Sequence, residues 1–350
     1  TWDYEDLKDM TDEEAIAAFR AHALNPNHPC ERGSAQNPDI FFQAREASNP
    51  YYDAMPEIVQ MYMDKVNEKI GTKYKLFNYY GDPKAESVII AMGSVNDTIE
   101  ETVDYLRTTK KAKVGVIKVR LYRPFSAKAL ISAIPKTAKV INVLDRTKEP
   151  GAEGEPLWLD VVAALHDSKF KDVKILSGRY GLGSKDTSPA QIAAVFANKT
   201  KKMFTLGIKD DVTNLSLAIG PEIVSTPKGT INCKFWGLGA DGTVGANKNS
   251  IKIIGDNTNM YAQAYFDYDS KKSGGVTMSH LRFGKKPIKS TYLIRQANFV
   301  ACHNPAYVRK FNMVQEIVDG GTFLLNCPWD DADIEKHLPG QMKKYMADHK

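Results

Sequence analysis

A chain of 350 residues is longer than one ordinary core accommodates, so two or three domains are expected. Hydrophobic residues make up 43% and charged residues 25%, a globular mixture that excludes a disordered chain, and no apolar run approaches the ~20 residues that cross a bilayer. The net charge of +5, from 47 basic and 42 acidic residues without like-charged blocks, gives no reason to expect nucleic-acid binding. The opening TWDYEDLKDMTDEEA is acidic and is no secretory signal, and its lack of a methionine points to a processed or excised piece.

The first 80 residues read as irregular. Asn25-Pro26, His28-Pro29, Asn37-Pro38 and Asn49-Pro50 are turn signals, because each proline pushes its predecessor out of the helical region. PEIVQMYMDKVNEKIG then predicts an amphipathic helix opened by Pro56 and stopped by Gly71. So much turn chemistry before one helix implies a long loop and a linker that need something else to pack on.

From residue 84 the pattern is regular. SVIIAMGS predicts a buried strand, and NDTIEETVDYLRTTKK a helix capped by Asn96 or Asp97. KVGVIKVRLYRPF, KVINVLDRT and DVKILSG predict further strands, separated by helices at SAKALISAIP and PLWLDVVAALHDS. Ser188, Pro189 and Gln191 form a capping box that starts the next helix. Strands apolar on both faces, alternating with helices, predict a mostly parallel sheet covered on both sides. A second unit opens near residue 230 with TINCKFWGLGADGTVGANKNSIKIIG, read as strand, glycine turn and helix. GVTMSHLRFG, NFVACHNP and GTFLLNCP follow as strands, with AYVRKFNMVQEIV as a helix between the last two and a polar helical end. There is no internal repeat or low-complexity segment.

Gly237-Leu238-Gly239-Ala240-Asp241-Gly242 satisfies G-x-G-x-x-G between a strand and a helix. Missing Cβ atoms let a diphosphate approach the main chain, and the amides of Gly242, Thr243 and Val244 open a helix, where anions are favoured. The Thr243 hydroxyl offers one more hydrogen bond. Asp241 would repel a pyrophosphate unless it points away or holds the loop through its own backbone bonds. No acid stands cleanly where a dinucleotide's ribose would need one, since Asp267 and Asp269 come late. Lys271 and Lys272, before Ser273-Gly274-Gly275, suit a multiply charged phosphate ligand better. The bland alternative is a close packing turn with solvated lysines.

The four cysteines, Cys30, Cys233, Cys302 and Cys327, form no CxxC pair, so spacing reveals neither a zinc ribbon nor an iron–sulfur cluster. Their scarcity favours a reducing compartment and small buried side chains. His280 and the Cys302-His303 pair lie beside apolar strand residues without a third ligand, which favours a structural role. Arg120, Arg123 and Asp145-Arg146 sit at strand ends, where an ion-pair network is the preferred reading. Nothing in the spacing ties His28 or Arg32 to a cofactor.

Long ordered stretches resemble the pyruvate:ferredoxin (flavodoxin) oxidoreductase family. They include NPNHPCERGSAQNPDIFFQAREASNPYYDAMPEIV, VLDRTKEPGAEGEPLWLDV, GRYGLGSKDTSPAQIAAVF, KFWGLGADGTVGANKNSIKIIGDNT and YDSKKSGGVTMSHLRFG. The resemblance implies three parts of an α/β chain. Residues 1–74 would be the tail of a thiamine pyrimidine-binding domain with a linker, 75–229 a transketolase C-terminal-like parallel-sheet domain, and 230–350 a truncated gamma-type domain that binds coenzyme A. It carries coenzyme contacts onto Gly239, Ala240, Asp241, Gly242, Thr243 and Lys271, to which charge alone adds Lys272. The whole enzyme would convert pyruvate and coenzyme A to acetyl-CoA and CO2, reducing ferredoxin or flavodoxin. Thiamine diphosphate, magnesium and 4Fe-4S clusters would sit in domains outside this chain, which alone would not turn over. A homodimer is implied, in the cytoplasm or an anaerobic organelle such as the hydrogenosome. The rivals are a nicotinamide-binding dehydrogenase module and a non-catalytic assembly module.

Overall fold

The computed structural model describes residues 3–31, 33, 35–210, 212–268 and 275–349. Four helices come first: α1 (Tyr4–Asp9), α2 (Glu13–Ala21), α3 (Phe41–Glu46) and α4 (Asn49–Ile70). Next are β1 (Phe77–Gly81), β2 (Ser87–Met92), α5 (Val95–Lys110), β3 (Val114–Val119), α6 (Ala127–Ala133) and β4 (Val140–Asp145). Then follow α7 (Pro156–His166), β5 (Lys174–Arg179), α8 (Pro189–Ala197) and β6 (Met203–Thr205). The last part holds β7 (Ile231–Leu238), α9 (Thr243–Asn257), β8 (Tyr261–Tyr268), β9 (Val276–Gly284), β10 (Ala297–Cys302), β11 (Ile317–Leu325), α10 (Asp331–His337) and α11 (Gly340–His349).

The strands form a six-stranded sheet of order β1-β3-β2-β4-β5-β6 and a five-stranded sheet of order β11-β10-β7-β9-β8. By contacts the chain divides into two units, residues 1–93, 115–145 and 149–177 in one, and 94–114, 146–148 and 178–350 in the other.

In the first unit, Val88, Ile90, Ile117, Leu130, Ile141, Val143, Leu157 and Val161 form one buried cluster. β2 is buried along all but its last residue, which is why SVIIA shows no alternation. β2 and β4 run parallel, as expected. β1 does not: it pairs antiparallel with β3, and its FNYYG carries no pattern that announces a strand. Tyr79 lies over Gly115, where a Cβ would come within 2.2 Å of the phenol oxygen, so this edge is set by a contact between distant residues.

Two N-terminal expectations are corrected. The stretch read as irregular contains α1 and α2, each started by an aspartate whose carboxylate accepts a helix amide, Asp3 from Asp6 and Asp12 from Ala15. α4 opens at Asn49 with Pro50 in its first turn, so Pro56 lies inside the helix rather than at its start. Packing of Val59 and Met63 against the cluster rewards the longer helix despite the proline. Gly71 ends it in the left-handed conformation, φ +68°, as the glycine signal implied.

In the second unit, β7 pairs parallel with β10 and antiparallel with β9, so this sheet is mixed. Trp236, Val300, Cys302, Met313, Val314 and Met342 form its core. The capping box at Ser188 and Gln191 is present. Ser94 takes the cap position of α5 in place of Asn96 or Asp97, without a side-chain bond. The helix expected over AYVRKFNMVQEIV is replaced by two 3-10 turns, 305–309 and 313–316, and Ile317 already begins β11. The β-branched Ile317 pairs with Ala297 of the neighbouring β10, which the helical pattern could not foresee.

Asp145 ends β4 at 2% exposure and accepts the amides of Leu157 and Trp158 at the start of α7, at 3.0 and 3.1 Å. Burial pushes its carboxyl up to about 6 against the pull of those amides. The folded value exceeds the unfolded one, so the folded state binds more protons between pH ~4 and ~6, and this group's contribution falls as pH rises through that window. Urea unfolding should show the native chain gaining about 1–3 kcal/mol over Asp145→Asn between pH 7.5 and pH 4.5; a difference that does not change with pH would contradict the assignment.

Candidate functional site

The turn between β7 and α9 is built around one carboxylate. Asp241 Oδ2 accepts the Leu238 amide at 2.7 Å, and Oδ1 accepts the Thr243 amide at 2.8 Å. The Asp241 amide returns to the Leu238 carbonyl at 3.1 Å, and the Gly239 amide is donated to the Gly275 carbonyl at 2.9 Å. Burial alone would raise the Asp241 carboxyl, but the hydroxyl and amide of Thr243, the Leu238 amide and the nearby His303 outweigh it and hold it below the usual range.

Glycine is required at two positions. A Cβ on Gly237 would come 2.2 Å from Thr243 Oγ1 and 2.8 Å from Asp241 Oδ2. Gly242 adopts φ +93° immediately before the first helical residue, a region that side chains disfavour. Ala240 also has positive φ, +70°, and so bears local strain.

Thr243 is 3% exposed, and its hydroxyl shares a 2.7 Å hydrogen bond with His303 Nδ1. The His303 amide is donated to the Trp236 carbonyl at 2.9 Å, which ties the end of β10 to the end of β7. Asn247, one helical turn on, donates to the Thr243 carbonyl at 2.9 Å.

Two expectations about donors change here. The Thr243 amide and hydroxyl, expected to face a ligand, are both engaged within the turn. Asp241 does not project into the approach as a bare charge; it holds the loop, as the second of its two options required. Among the described residues the amides of Ala240, Gly242 and Val244 have no partner, and Ala240 and Gly242 are exposed. Lys271 and Lys272 lie outside the described residues. His303 belongs to this turn and sequence reasoning missed that role, because only the parallel pairing of β10 with β7 brings it there.

The other conspicuous residues fall elsewhere. His280 is 2% exposed, accepts the Ile294 amide at Nδ1, and is held down at about 3 by burial and then by Lys234 and Arg282. Arg123 pairs with Asp160 at 2.8 Å and stacks over the Tyr122 ring. Arg146 donates to the Gly181 carbonyl at 2.9 Å. Among the described residues no three His, Cys, Asp or Glu side chains gather as a metal ion would need. Cys233 and Cys302 are buried free thiols, both pushed up to about 11 by burial.

Three family models match in chain order. Residues 1–64 match the thiamine diphosphate-binding part of pyruvate flavodoxin/ferredoxin oxidoreductase, 85–192 match pyruvate:ferredoxin oxidoreductase core domain II, and 232–349 match the pyruvate ferredoxin/flavodoxin oxidoreductase model. Pyruvate:ferredoxin oxidoreductase of Moorella thermoacetica is 56% identical over 99% of this chain and 30% of its own length. The chain belongs to the pyruvate:ferredoxin/flavodoxin oxidoreductase family.

Within that family, pyruvate-flavodoxin oxidoreductase of Enterobacter agglomerans is also 56% identical, over 99% of this chain and 30% of its own. Pyruvate dehydrogenase [NADP(+)] of Cryptosporidium parvum is 49% identical over 98% of this chain and 18% of its own. The chain thus spans less than a third of the curated relatives it matches. The family's model over 232–349 contains the whole Asp241 turn. No helix among the described residues is long and apolar enough to cross a membrane.

Removal of the Asp241 carboxylate should loosen the start of α9. Asp241→Ala is expected to lower unfolding stability in urea by about 1–2 kcal/mol, the range of a lost helix cap, with Asp241→Asn between it and the native chain. Stability equal to the native protein would show that the carboxylate does not hold the turn.

Proposed function

We propose that this chain is the coenzyme A-binding and architectural part of a pyruvate:ferredoxin or flavodoxin oxidoreductase. The observation that carries the coenzyme reading is the bare main chain from Gly239 to Gly242, whose Ala240 and Gly242 amides, with that of Val244, are free to meet an anion at the start of a 15-residue helix. The diphosphate of coenzyme A fits such donors, with Lys271 and Lys272 adding positive charge. The Asp241 carboxylate stays ionised but is turned onto the amides of Leu238 and Thr243, whose dipoles partly offset its repulsion of that ligand.

In the complete enzyme, pyruvate and the thiol of coenzyme A give acetyl-CoA, CO2, one proton and two electrons, and the electrons pass to ferredoxin or flavodoxin. Thiamine diphosphate, magnesium and 4Fe-4S clusters would supply the decarboxylation and electron transfer. Residues here bind and orient. In this reading, residues 1–74 complete a thiamine-binding domain, 75–229 form the transketolase C-terminal-like domain and 230–350 the coenzyme domain of a homodimer, in the cytoplasm or an organelle such as the hydrogenosome.

One observation favours a second reading, a turn that only packs. Asp241, Thr243 and His303 already satisfy one another, so the loop does not need a ligand to hold its shape. A nicotinamide-binding module is less supported. β9 lies between β7 and β8, so Asp267 on β8 stands two strands from the turn rather than on the neighbouring strand.

Calorimetry with coenzyme A, NAD and NADP separates these readings. Coenzyme A should bind, weaken as salt rises, and lose at least tenfold in affinity in Lys271→Ala. Stoichiometric binding of NAD would favour the dehydrogenase module, and absence of binding by all of them would favour the packing turn.

A further inference from the structure

The second unit holds a cavity of about 400 Å³ lined by Lys228, Ile231, Met260, Phe283, Lys285 and Lys286. Three strand ends meet there, since β7 begins at Ile231, β8 begins at Tyr261 and β9 ends at Gly284. Ile231 is opposite Phe283 across β7 and β9, and Phe283 is opposite Ala262 across β9 and β8, so these side chains share one sheet face. Ile231 remains 39% exposed, an apolar side chain at the end of the sheet.

The chain closes tightly at the wall. A Cβ on Gly284 would come 3.2 Å from the Thr230 Cα and 3.4 Å from the Gly229 carbonyl oxygen. Gly229, at φ +89°, turns the backbone so that Lys228 precedes β7 at the same rim where Lys285 and Lys286 leave β9. All three lysines are exposed, and among the described residues none has a carboxylate partner. Asp256, in the last turn of α9, is not among the lining residues.

This cavity is distinct from the glycine turn. Ile231 and Leu238 are the two ends of β7, and seven residue steps along the strand separate them by ~23 Å. The size lies within the ~300–1,000 Å³ of small-molecule sites, and the lysines cluster at one mouth rather than forming the extended stripe that a nucleic-acid strand would track.

We propose that this cavity binds a small organic anion. A phosphate or carboxylate head is held by Lys228, Lys285 and Lys286, and a single ring or short apolar chain lies on Ile231, Met260 and Phe283. Neither half suffices alone: exposed ammonium groups hold a free anion weakly in water, and the apolar floor is too small to hold a neutral ring tightly. The two together define the ligand class.

The test is calorimetry on the full chain with phenyl phosphate and benzoate, beside inorganic phosphate and phenol. At least one of the first pair should bind tenfold or more tightly than either control, and Lys285→Ala/Lys286→Ala should weaken it at least tenfold. Both lysines are exposed, so an unchanged melting temperature will show that this variant is folded. Met260→Ala, which shortens the floor, should weaken the ring-bearing ligand while leaving inorganic phosphate unchanged. The proposal fails if the ring-bearing anions bind no better than inorganic phosphate or if the double variant binds them as the native chain does. It fails equally if Lys271→Ala abolishes their binding, which would place the ligand at the glycine turn.

Discussion

One ionised carboxylate holds the end of β7 to the start of α9. Asp241 receives an amide from each side of the turn, and Gly237 must lack a side chain because Thr243 and Asp241 occupy the space a Cβ would need. A charge-assisted bond of this kind is worth more than a neutral one, and two on a single residue fix both limbs of the loop. The free amides of Ala240, Gly242 and Val244 are a consequence. They are left over because the amides of Leu238, Gly239, Asp241 and Thr243 are taken up within the turn.

The second unit repeats this logic in its interior. Lys234 is 5% exposed and is paired with Glu316 at 2.6 Å. Glu101 on α5 is raised by burial and accepts the Ser290 hydroxyl at 2.9 and 3.1 Å, while Lys289 reaches Glu100 at 2.5 Å. Arg282, 3% exposed, donates to the Ser290 carbonyl at 3.0 Å and lies over the Tyr292 ring. A charge is removed from water only where another group answers it, and here residues 289–292 answer α5 and β9 together. His280 has no such answer and is kept neutral instead, its ring held by the Ile294 amide.

Much of the fold was legible because periodicity is local. The apolar runs of β2, β3 and β4, the capping box at Ser188, the glycine stop at Gly71 and the strand, turn and helix around Gly237 each carry their cause within a few residues. β1 was not legible, since its Asn78, Tyr79, Tyr80 and Gly81 become a strand only by pairing with β3. Nor were the 3-10 turns that replace the helix after Asn304, where the demand of β11 for Ile317 overrides a helical pattern. The N-terminal helices show the opposite error. Their aspartate caps were present at Asp3 and Asp12 but were outweighed by the prolines that follow.

By itself the sequence determined the alternating α/β order and the position of the glycine turn, because strand periodicity, capping and missing Cβ atoms act over short distances. Only the tertiary structure decided which donors remain available. Whether Asp241 faces a ligand or its own backbone, whether the Thr243 hydroxyl is free or bound to His303, and whether Lys228 meets Lys285 at one cavity all depend on strands far apart in sequence. Hydrogen bonds and charges are satisfied by whatever lies nearest in space, and that proximity is set by the pairing of β7 with β9 and β10.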